Sequence, residues 1–235
     1  MRQVVLDTET TGLEPAQGHR VIEIGCVELV NRKFTGRTYH QYINPERQVD
    51  AEAVEVHGIT DEFLRDKPVF AQIAPEFFEF IRGSQLVIHN APFDVNFIDH
   101  EWMWLQQAGK ASYGKVIDHC QVLDTLVMSR KMHPGARHSL DALCKRYGID
   151  NSHRELHGAL LDAEILADVY LLMTGGQTTL QLVAESGEKG QSQLVSTELR
   201  PIDSNRPALP VIQADEDEIQ RHQKKIDSIN GLWNQ

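Results

Sequence analysis

Basic residues are scarce in this sequence. Lysine and arginine together number 23 against 34 aspartates and glutamates, so the formal net charge is −11 at pH 7. Contacts to nucleic-acid phosphates are made by lysine and arginine, and this balance therefore argues against a protein that binds nucleic acid on its own. An acidic chain can still act on nucleic acid when its carboxylates hold metal ions and a partner holds the strand.

Cysteines and long apolar segments are also few. The three cysteines, Cys26, Cys120 and Cys144, lie far apart and include no C-x-x-C pair. Their odd number and spacing argue against a disulfide framework and a structural zinc site, and favour a reducing compartment. No apolar run reaches membrane length, and the N-terminus does not resemble a signal peptide. We therefore expect a soluble, cytoplasmic protein.

Two carboxylates follow a short apolar segment close to the N-terminus. Val4–Leu6 reads as a buried strand and runs into Asp7 and Glu9. Residues two apart on a strand share a face, which places these two side chains about 6–7 Å apart at the backbone. Carboxylates this close repel each other unless a cation lies between them. A lone D-x-E also fits two acids at a solvated strand end, so a metal site needs further ligands.

The remaining pattern predicts an α/β domain, and 41% apolar residues among 235 suffice for its core. Two further strands, 21–30 and 34–43, would lie beside the first in one sheet, and 86–89 and 116–126 would add others. The residues from Glu52 to His57 fit no single element. Helices are predicted at 70–81, from 91 onward with Asn90 as N-cap, at 139–147 with Ser139 as N-cap, and at about 158–173.

Two of these helices carry an aspartate on the apolar stripe that faces the core. Asp94 shares its stripe with Phe97 and Ile98, and Asp162 shares its stripe with Ile165 and Leu166. An acid on the buried side of a helix needs a partner, and a cation is one. The stripe positions therefore predict two further ligands for the site that Asp7 and Glu9 begin.

His157 lies five residues before Asp162, and the two side chains reach one site only if His157 precedes the helix on a loop. Four carboxylates without cysteine form a hard, oxygen-rich site, which favours Mg²⁺ or Mn²⁺. Two such ions support hydrolysis at phosphorus, and a neutral imidazole can accept the proton of the attacking water. Four unrelated surface acids and a loop histidine remain the alternative on spacing alone.

Three motifs resemble those of the DEDDh 3′→5′ exonucleases: 7–12 (DTETTG), 89–94 (HNAPFD) and 157–162 (HGALLD). The resemblance implies an RNase H-like α/β fold, a mixed five-stranded sheet flanked by helices, with a flexible C-terminal extension. It also implies that Asp7, Glu9, Asp94 and Asp162 hold two divalent metal ions, with His157 as the general base. The residues implied to contact the terminal nucleotide are Asp7, Glu9, Glu52, His57 and Asp162.

The composition changes near residue 184, where glycine, proline, serine and glutamine become frequent. We predict an exonuclease domain at 1–180, a clamp-binding-like peptide and linker at 181–210, and a polymerase-binding segment at 211–235. The stretch from Gln177 to Leu182 resembles a sliding-clamp-binding peptide. A charged helix at 215–229 has too few apolar residues to fold alone and would order on a partner, for which the resemblance implies the catalytic subunit of a polymerase.

The resemblance implies a proofreading DNA exonuclease that releases nucleoside 5′-monophosphates from the 3′ end of a single or frayed strand. A related exonuclease that trims RNA is the alternative, because both substrates present the same phosphodiester. A third hypothesis is a subunit that mainly links a polymerase to its sliding clamp.

Overall fold

The computed structural model describes residues 1–151, 156–175 and 214–228. The chain divides into two units, Met1–Leu180 and Gln181–Gln235. The predicted linker and the clamp-binding-like peptide of residues 177–182 lie outside the described residues, so the three-part domain division stays a prediction. No helix among the described residues is long and apolar enough to cross a membrane.

The first unit is built on one mixed sheet of five strands. The strand bounds are β1 Arg2–Thr10, β2 Val21–Val30, β3 Lys33–Tyr42, β4 Gln85–Ile88 and β5 Gln121–Asp124. Their order in the sheet is β3-β2-β1-β4-β5. The strands β1 and β2 are antiparallel, as are β2 and β3, whereas β1 and β4 are parallel, as are β4 and β5. This arrangement confirms the predicted mixed five-stranded sheet.

Helices flank the sheet, and one further helix lies in the second unit. The helix bounds are α1 Ala51–His57, α2 Asp61–Leu64, α3 Phe70–Ile81, α4 Ala91–Gln107, α5 Val116–His119, α6 Thr125–Met132, α7 Leu140–Tyr147, α8 Ala159–Thr174 and α9 Glu216–Ser228, with a 3-10 turn at Pro15–Gln17. The four helices predicted from the apolar pattern of this domain are confirmed as α3, α4, α7 and α8.

Two sequence expectations need correction. The segment 116–126 is not one strand, because α5 occupies its first four residues and β5 begins only at Gln121. Residues 52–57, for which no single element was predicted, belong to α1, which ends at Gly58 in the left-handed conformation (φ 73°). Both helices are short and lack the repeated apolar spacing that marks a helix in sequence.

The two faces of the sheet pack against different helices. Val4 and Leu6 of β1 belong to a core cluster that includes Phe77 of α3 and Phe97 of α4. Val5 belongs to a second cluster with residues of α8. Since side chains alternate along a strand, Asp7 and Glu9 lie on the α8 face, and Thr8 lies on the α4 face.

Helix α8 begins unusually close to the sheet, and Gly25 of β2 permits this approach. A Cβ added at Gly25 would overlap the backbone of Ala159 and Leu160. Gly25 pairs with Asp7 in the register of β1 and β2, and the next position on this face pairs Glu23 with Glu9. The missing side chain therefore brings the first turn of α8, which carries Asp162, against the strand that carries Asp7 and Glu9.

Candidate active site

A cleft opens where the parallel strands β1 and β4 end. After β1 the chain turns to β2 on one side, and after β4 it turns to α4 on the other. A crevice between the carboxyl ends of two such strands is the position where α/β sheets bind ligands. The cleft has a volume of about 260 Å³. The lining residues are Asp7, Thr8, Glu9, His89, Asn90, Phe93, Asp94, Ser139, Leu140, Asp141, His157, Asp162 and Leu166.

Three of the predicted site residues converge most tightly. One ligand atom from each of Glu9, His157 and Asp162 lies within 4.8 Å of the other two. His157 Nδ1 lies 3.4 Å from Asp162 Oδ2. His157 precedes Gly158, the N-cap residue of α8. The expectation that His157 reaches the site from a loop ahead of this helix is therefore confirmed.

Asp94 enters the cleft from the opposite face of the sheet. It lies in the first turn of α4, is 3% exposed, and accepts a 2.7 Å hydrogen bond at Oδ1 from the Thr8 hydroxyl. Burial raises the pKa of the Asp94 carboxyl to about 7. A cation in the cleft would favour the ionised form of this carboxylate and offset the cost of its burial.

The donor set of the cleft fits a divalent cation. Asp7, Glu9, Asp94 and Asp162 supply carboxylate oxygens, His157 adds a ring nitrogen, and the residues lining the cleft include no cysteine. Hard oxygen donors of this kind suit hard divalent ions. The buried Asp94 carboxyl and the close approach of Glu9 to Asp162 both gain from a positive charge between them.

Glu23 supports the site, and the sequence analysis did not identify it. This residue is 2% exposed, and its Oε2 accepts a hydrogen bond from the backbone N–H of Ala159, the first residue of α8 (3.2 Å). His40 Nε2 donates to the other oxygen, Oε1, at 2.7 Å. The only sequence signal was an acid within the otherwise apolar segment 21–27.

Three helices begin at or beside the cleft. The N-cap residues are Asn90 for α4, Ser139 for α7 and Gly158 for α8, and the first two line the cleft. Helix N-termini carry partial positive charge and unpaired N–H groups, which favour anions such as phosphate. The cleft therefore combines carboxylates that suit a cation with helix ends that suit a phosphodiester.

The N-cap prediction holds for Ser139 and needs correction for Asn90. The Ser139 side chain accepts from the Ala142 N–H, as predicted. Asn90 occupies the N-cap position of α4 in the left-handed conformation (φ 67°, ψ 51°), but its side chain makes no capping hydrogen bond. Its backbone N–H instead donates to Asp124 Oδ1 at 3.3 Å.

Glu52 and His57 lie on α1 and are not among the residues that line the cleft. Glu52 is exposed, whereas His57 is buried and its Nδ1 accepts from the Ile59 N–H at 3.0 Å. Burial lowers the pKa of His57. The end of α1 nonetheless adjoins the loop that carries His157, because the backbone N–H of His157 donates to the Val56 carbonyl at 3.2 Å.

The sheet order, the carboxylates at the end of β1 and the histidine before α8 together define a class of nuclease. A family model described as exonuclease (RNase_T) matches residues 4–170. The chain belongs to this exonuclease family.

Within the family, the chain is similar to subunit epsilon of DNA polymerase III. It is 52% identical to that of Escherichia coli over 232 residues, covering 97% of this chain and 93% of the relative. It is 48% identical to that of Rickettsia typhi over 230 residues, covering 97% of each. The resemblance on which the sequence predictions rested is thereby confirmed.

Solved structures show the same fold. Exonuclease X in complex with 5′-overhanging duplex DNA has a TM-score of 0.57 at 23% identity, covering 74% of this chain and 91% of that chain. The zinc-bound complex of E. coli exonuclease I with single-stranded DNA has a TM-score of 0.64 at 19% identity, covering 75% of this chain and 41% of that one. These likenesses confirm the predicted α/β fold.

Proposed function

We propose that this chain is a proofreading 3′→5′ DNA exonuclease that hydrolyses the terminal phosphodiester and releases nucleoside 5′-monophosphates. The observation that carries the proposal is the convergence of Asp7, Glu9, Asp94, Asp162 and His157 on one cleft. The similarity to DNA polymerase III subunit epsilon along 97% of the chain supports the replicative role. A mismatched 3′ end needs less free energy to unpair than a matched end, so the DNA itself supplies part of the selectivity.

Asp7, Glu9, Asp94 and Asp162 would hold two Mg²⁺ or Mn²⁺ ions. When bound, such a pair polarises the phosphodiester, lowers the pKa of the attacking water and steadies the leaving oxygen. The protein contributes the placement of its own groups. β1 fixes Asp7 and Glu9, the Thr8 hydroxyl holds Asp94, and the anchored start of α8 holds Asp162.

His157 would act as the general base. Imidazole is the side chain used most often to accept a proton in hydrolysis. Its Nδ1 lies 3.4 Å from Asp162 Oδ2, so the carboxylate can orient the ring, and the Val56 carbonyl holds the backbone of the same residue. These two contacts hold the ring close to the carboxylates of Asp162 and Glu9.

Asp7, Glu9 and Asp162 would also contact the terminal nucleotide, together with Glu52 and His57 of α1. The support for α1 is its exposed acid, Glu52, and its end beside the His157 loop. A terminal nucleotide held in the cleft would therefore lie between the helix that carries His57 and the strand that carries Glu9.

The test is release of 5′-mononucleotides from a primer with a mismatched 3′ end, with and without EDTA. We expect EDTA or Asp162→Ala to abolish release, because the carboxylates and their cations position the water. Asp168→Ala is the matched control, since Asp168 lies on the exposed face of the same helix. We also expect His157→Ala to lower the rate and flatten its pH dependence between about pH 6 and 8.

Full activity of Asp162→Ala with Mg²⁺ would contradict the metal assignment, and an unchanged pH profile in His157→Ala would contradict the general base. Equal rates on matched RNA and DNA ends would favour the RNA-trimming alternative. Absence of nucleotide release by the wild-type chain would leave only the linking role between polymerase and clamp.

Partners would attach through the C-terminal part of the chain. Helix α9 begins with Glu216, Asp217 and Glu218, all exposed, and offers a charged helix to the catalytic subunit of a polymerase. The sliding clamp would bind the stretch from Gln177 to Leu182. The cytoplasmic location is a further prediction, which cell fractionation tests.

A further inference from the structure

The few basic residues of this acidic chain are not evenly spread. Five of the 23 lysines and arginines, but only one of the 34 acids, fall between residues 125 and 148. These five side chains are all exposed. We refer to them as the basic surface: Arg130, Lys131, Arg137, Lys145 and Arg146.

The basic surface carries uncompensated charge. Among the residues that the structure describes, none of the five takes part in a salt bridge. Several arginines elsewhere are paired with acids, as Arg2 and Arg37 are with Glu28 and Arg20 is with Glu101. The lone acid of the segment, Asp141, lines the cleft and accepts from the Asn151 side chain. The five cations therefore remain available to an anionic ligand.

The basic surface adjoins the cleft. Arg137 lies two residues before Ser139, which lines it. Burial lowers the pKa of His138, and the nearby charges of Arg130 and Arg146 lower it further. Arg130 also acts on His89, a residue of the cleft wall whose pKa is lowered mainly by burial. Arginines from α6 and α7 thus converge on one loop at the edge of the cleft.

We propose that the basic surface holds the phosphates of the nucleic-acid strand that leads to the 3′ end in the cleft. This inference rests on the proposed function. Lys145 lies six residues beyond Ser139 along α7, which corresponds to about 9 Å at 1.5 Å per residue. Phosphates of one duplex strand are spaced about 3.4 Å apart along the helix axis and further apart in an extended strand, so this distance reaches the phosphates nearest the terminal nucleotide.

An alternative explanation involves no ligand. Arg130, Lys131, Lys145 and Arg146 lie in the last turns of α6 and α7, where cations stabilise the negative ends of helix dipoles. Arg137 lies in the loop between the two helices, and this explanation does not account for it. The two explanations differ in what they predict for long and short substrates.

The experiment compares two substrates in the full-length chain. An oligothymidylate of about twelve nucleotides reaches beyond the cleft, whereas the p-nitrophenyl ester of thymidine 5′-monophosphate reaches the cleft alone. In the triple variant Arg130→Gln, Arg137→Gln, Arg146→Gln we expect kcat/KM on the oligomer to fall relative to that on the ester. Each phosphate contact to a single strand contributes about 0.7 to the slope of log KM against log salt. Loss of three contacts should therefore make this slope shallower by about 2 for the oligomer.

A control triple variant removes the same charge from exposed positions elsewhere: Lys33→Gln, Arg65→Gln and Lys110→Gln. We expect this control to keep the wild-type ratio of kcat/KM on the oligomer to kcat/KM on the ester. We also expect it to keep the wild-type slope of log KM against log salt. A basic-surface variant that behaves like this control overturns the proposal. A lowered Tm with an unchanged KM for the oligomer would assign the arginines to helix stabilisation and would equally overturn it.

Failure of this inference is distinguishable from failure of the proposed function. If the wild-type chain does not degrade the oligomer, the proposed function fails. Fluorescence anisotropy of a labelled oligomer in EDTA then still compares the affinity of the two triple variants. If the basic-surface triple variant does not fold, the single changes Arg137→Gln and Arg146→Gln supply the same comparison, with an expected slope change of about 0.7 each.

Discussion

Asp94 makes the stability of the cation-free protein depend on pH. Burial raises the pKa of its carboxyl from the ordinary value of 3.8 to about 7 in the folded chain. The folded state therefore binds the proton more tightly than the unfolded state does. The stability that this group contributes is fully present below about pH 4 and is lost as the pH rises through 7. Each unit of difference between the folded and unfolded pKa corresponds to about 1.4 kcal/mol of this stability.

Asp94→Asn should remove this dependence. In EDTA we expect the free energy of unfolding of the variant, relative to wild type, to rise between pH 5 and pH 8, as measured by urea denaturation. Addition of Mn²⁺ at pH 8 should stabilise wild type far more than the variant, because the amide offers no charge to the cation. Parallel pH profiles of the two proteins in EDTA would contradict the assignment.

Glu23 acts on the site through the start of α8. Glu23→Ala would leave the Ala159 N–H and the His40 ring without the acceptor they share. We expect about a 10–100-fold loss in Mn²⁺ affinity, as is typical when a residue that supports metal ligands is removed. Glu23→Gln keeps an oxygen for Ala159 and should retain most of the affinity. Calorimetric titration measures the loss of Mn²⁺ affinity, and hydrogen exchange at the Ala159 amide measures the loss of its hydrogen-bond acceptor.

Glu28 provides the matched control for Glu23. It is the other buried acid of β2, 3% exposed, and it pairs with Arg2 and Arg37 away from the cleft. Glu28→Ala should lower the Tm and leave the Mn²⁺ affinity unchanged. Equal losses of affinity in the Glu28 and Glu23 variants would reduce Glu23 to a residue of general stability.

At the scale of elements, the packing of α8 on β2 depends on Gly25. Gly25→Ala should push the first turn of the helix away from the sheet, at a cost of about 1–3 kcal/mol for overpacking. We expect weaker Mn²⁺ binding and lower turnover, since Asp162 and His157 move with the helix. Gly36→Ala on β3 is the control: nothing lies within 4 Å of its added methyl. Its positive φ costs about 1–2 kcal/mol of strain without reaching the cleft.

Elements with a strong apolar period were predictable from sequence, and short ones were not. α3 and α8 show a stripe of inward residues over three or more turns, which sets both their type and their bounds. α1 and α5 have seven and four residues, too few for a period to appear, and tertiary packing decides their conformation. The change from α5 to β5 within 116–126 was missed for the same reason.

The carboxylates of the cleft were easier to predict than the residues that support them. Asp94 and Asp162 stand out because each occupies a position on a helix stripe where an apolar side chain is expected, and Asp7 and Glu9 because they share one face at the end of a strand. Glu23 and Gly25 owe their roles to the register that pairs them with Glu9 and Asp7. That register depends on which strands are neighbours and how they align, and neither is visible in a single strand.

At the scale of the whole molecule, the described part of the first unit holds both the hydrophobic clusters and the cleft. All the hydrophobic clusters of the described chain, and the cleft, are formed by residues between Val4 and Met173. We expect a chain that ends at residue 180 to keep the wild-type turnover of the thymidine ester. It should no longer capture the polymerase catalytic subunit in a pull-down, whereas capture equal to that of the full chain would remove the proposed role of residues 211–235.

The carboxylates of the cleft come from both faces of the sheet, Asp94 with α4 from one side and Asp162 with α8 from the other. Any fluctuation that lifts either helix away from the strands therefore separates the acids from one another. Any cations that they share would then lose part of their ligand set. Such a partly opened molecule would lose its ability to cut DNA while the rest of the domain is still folded.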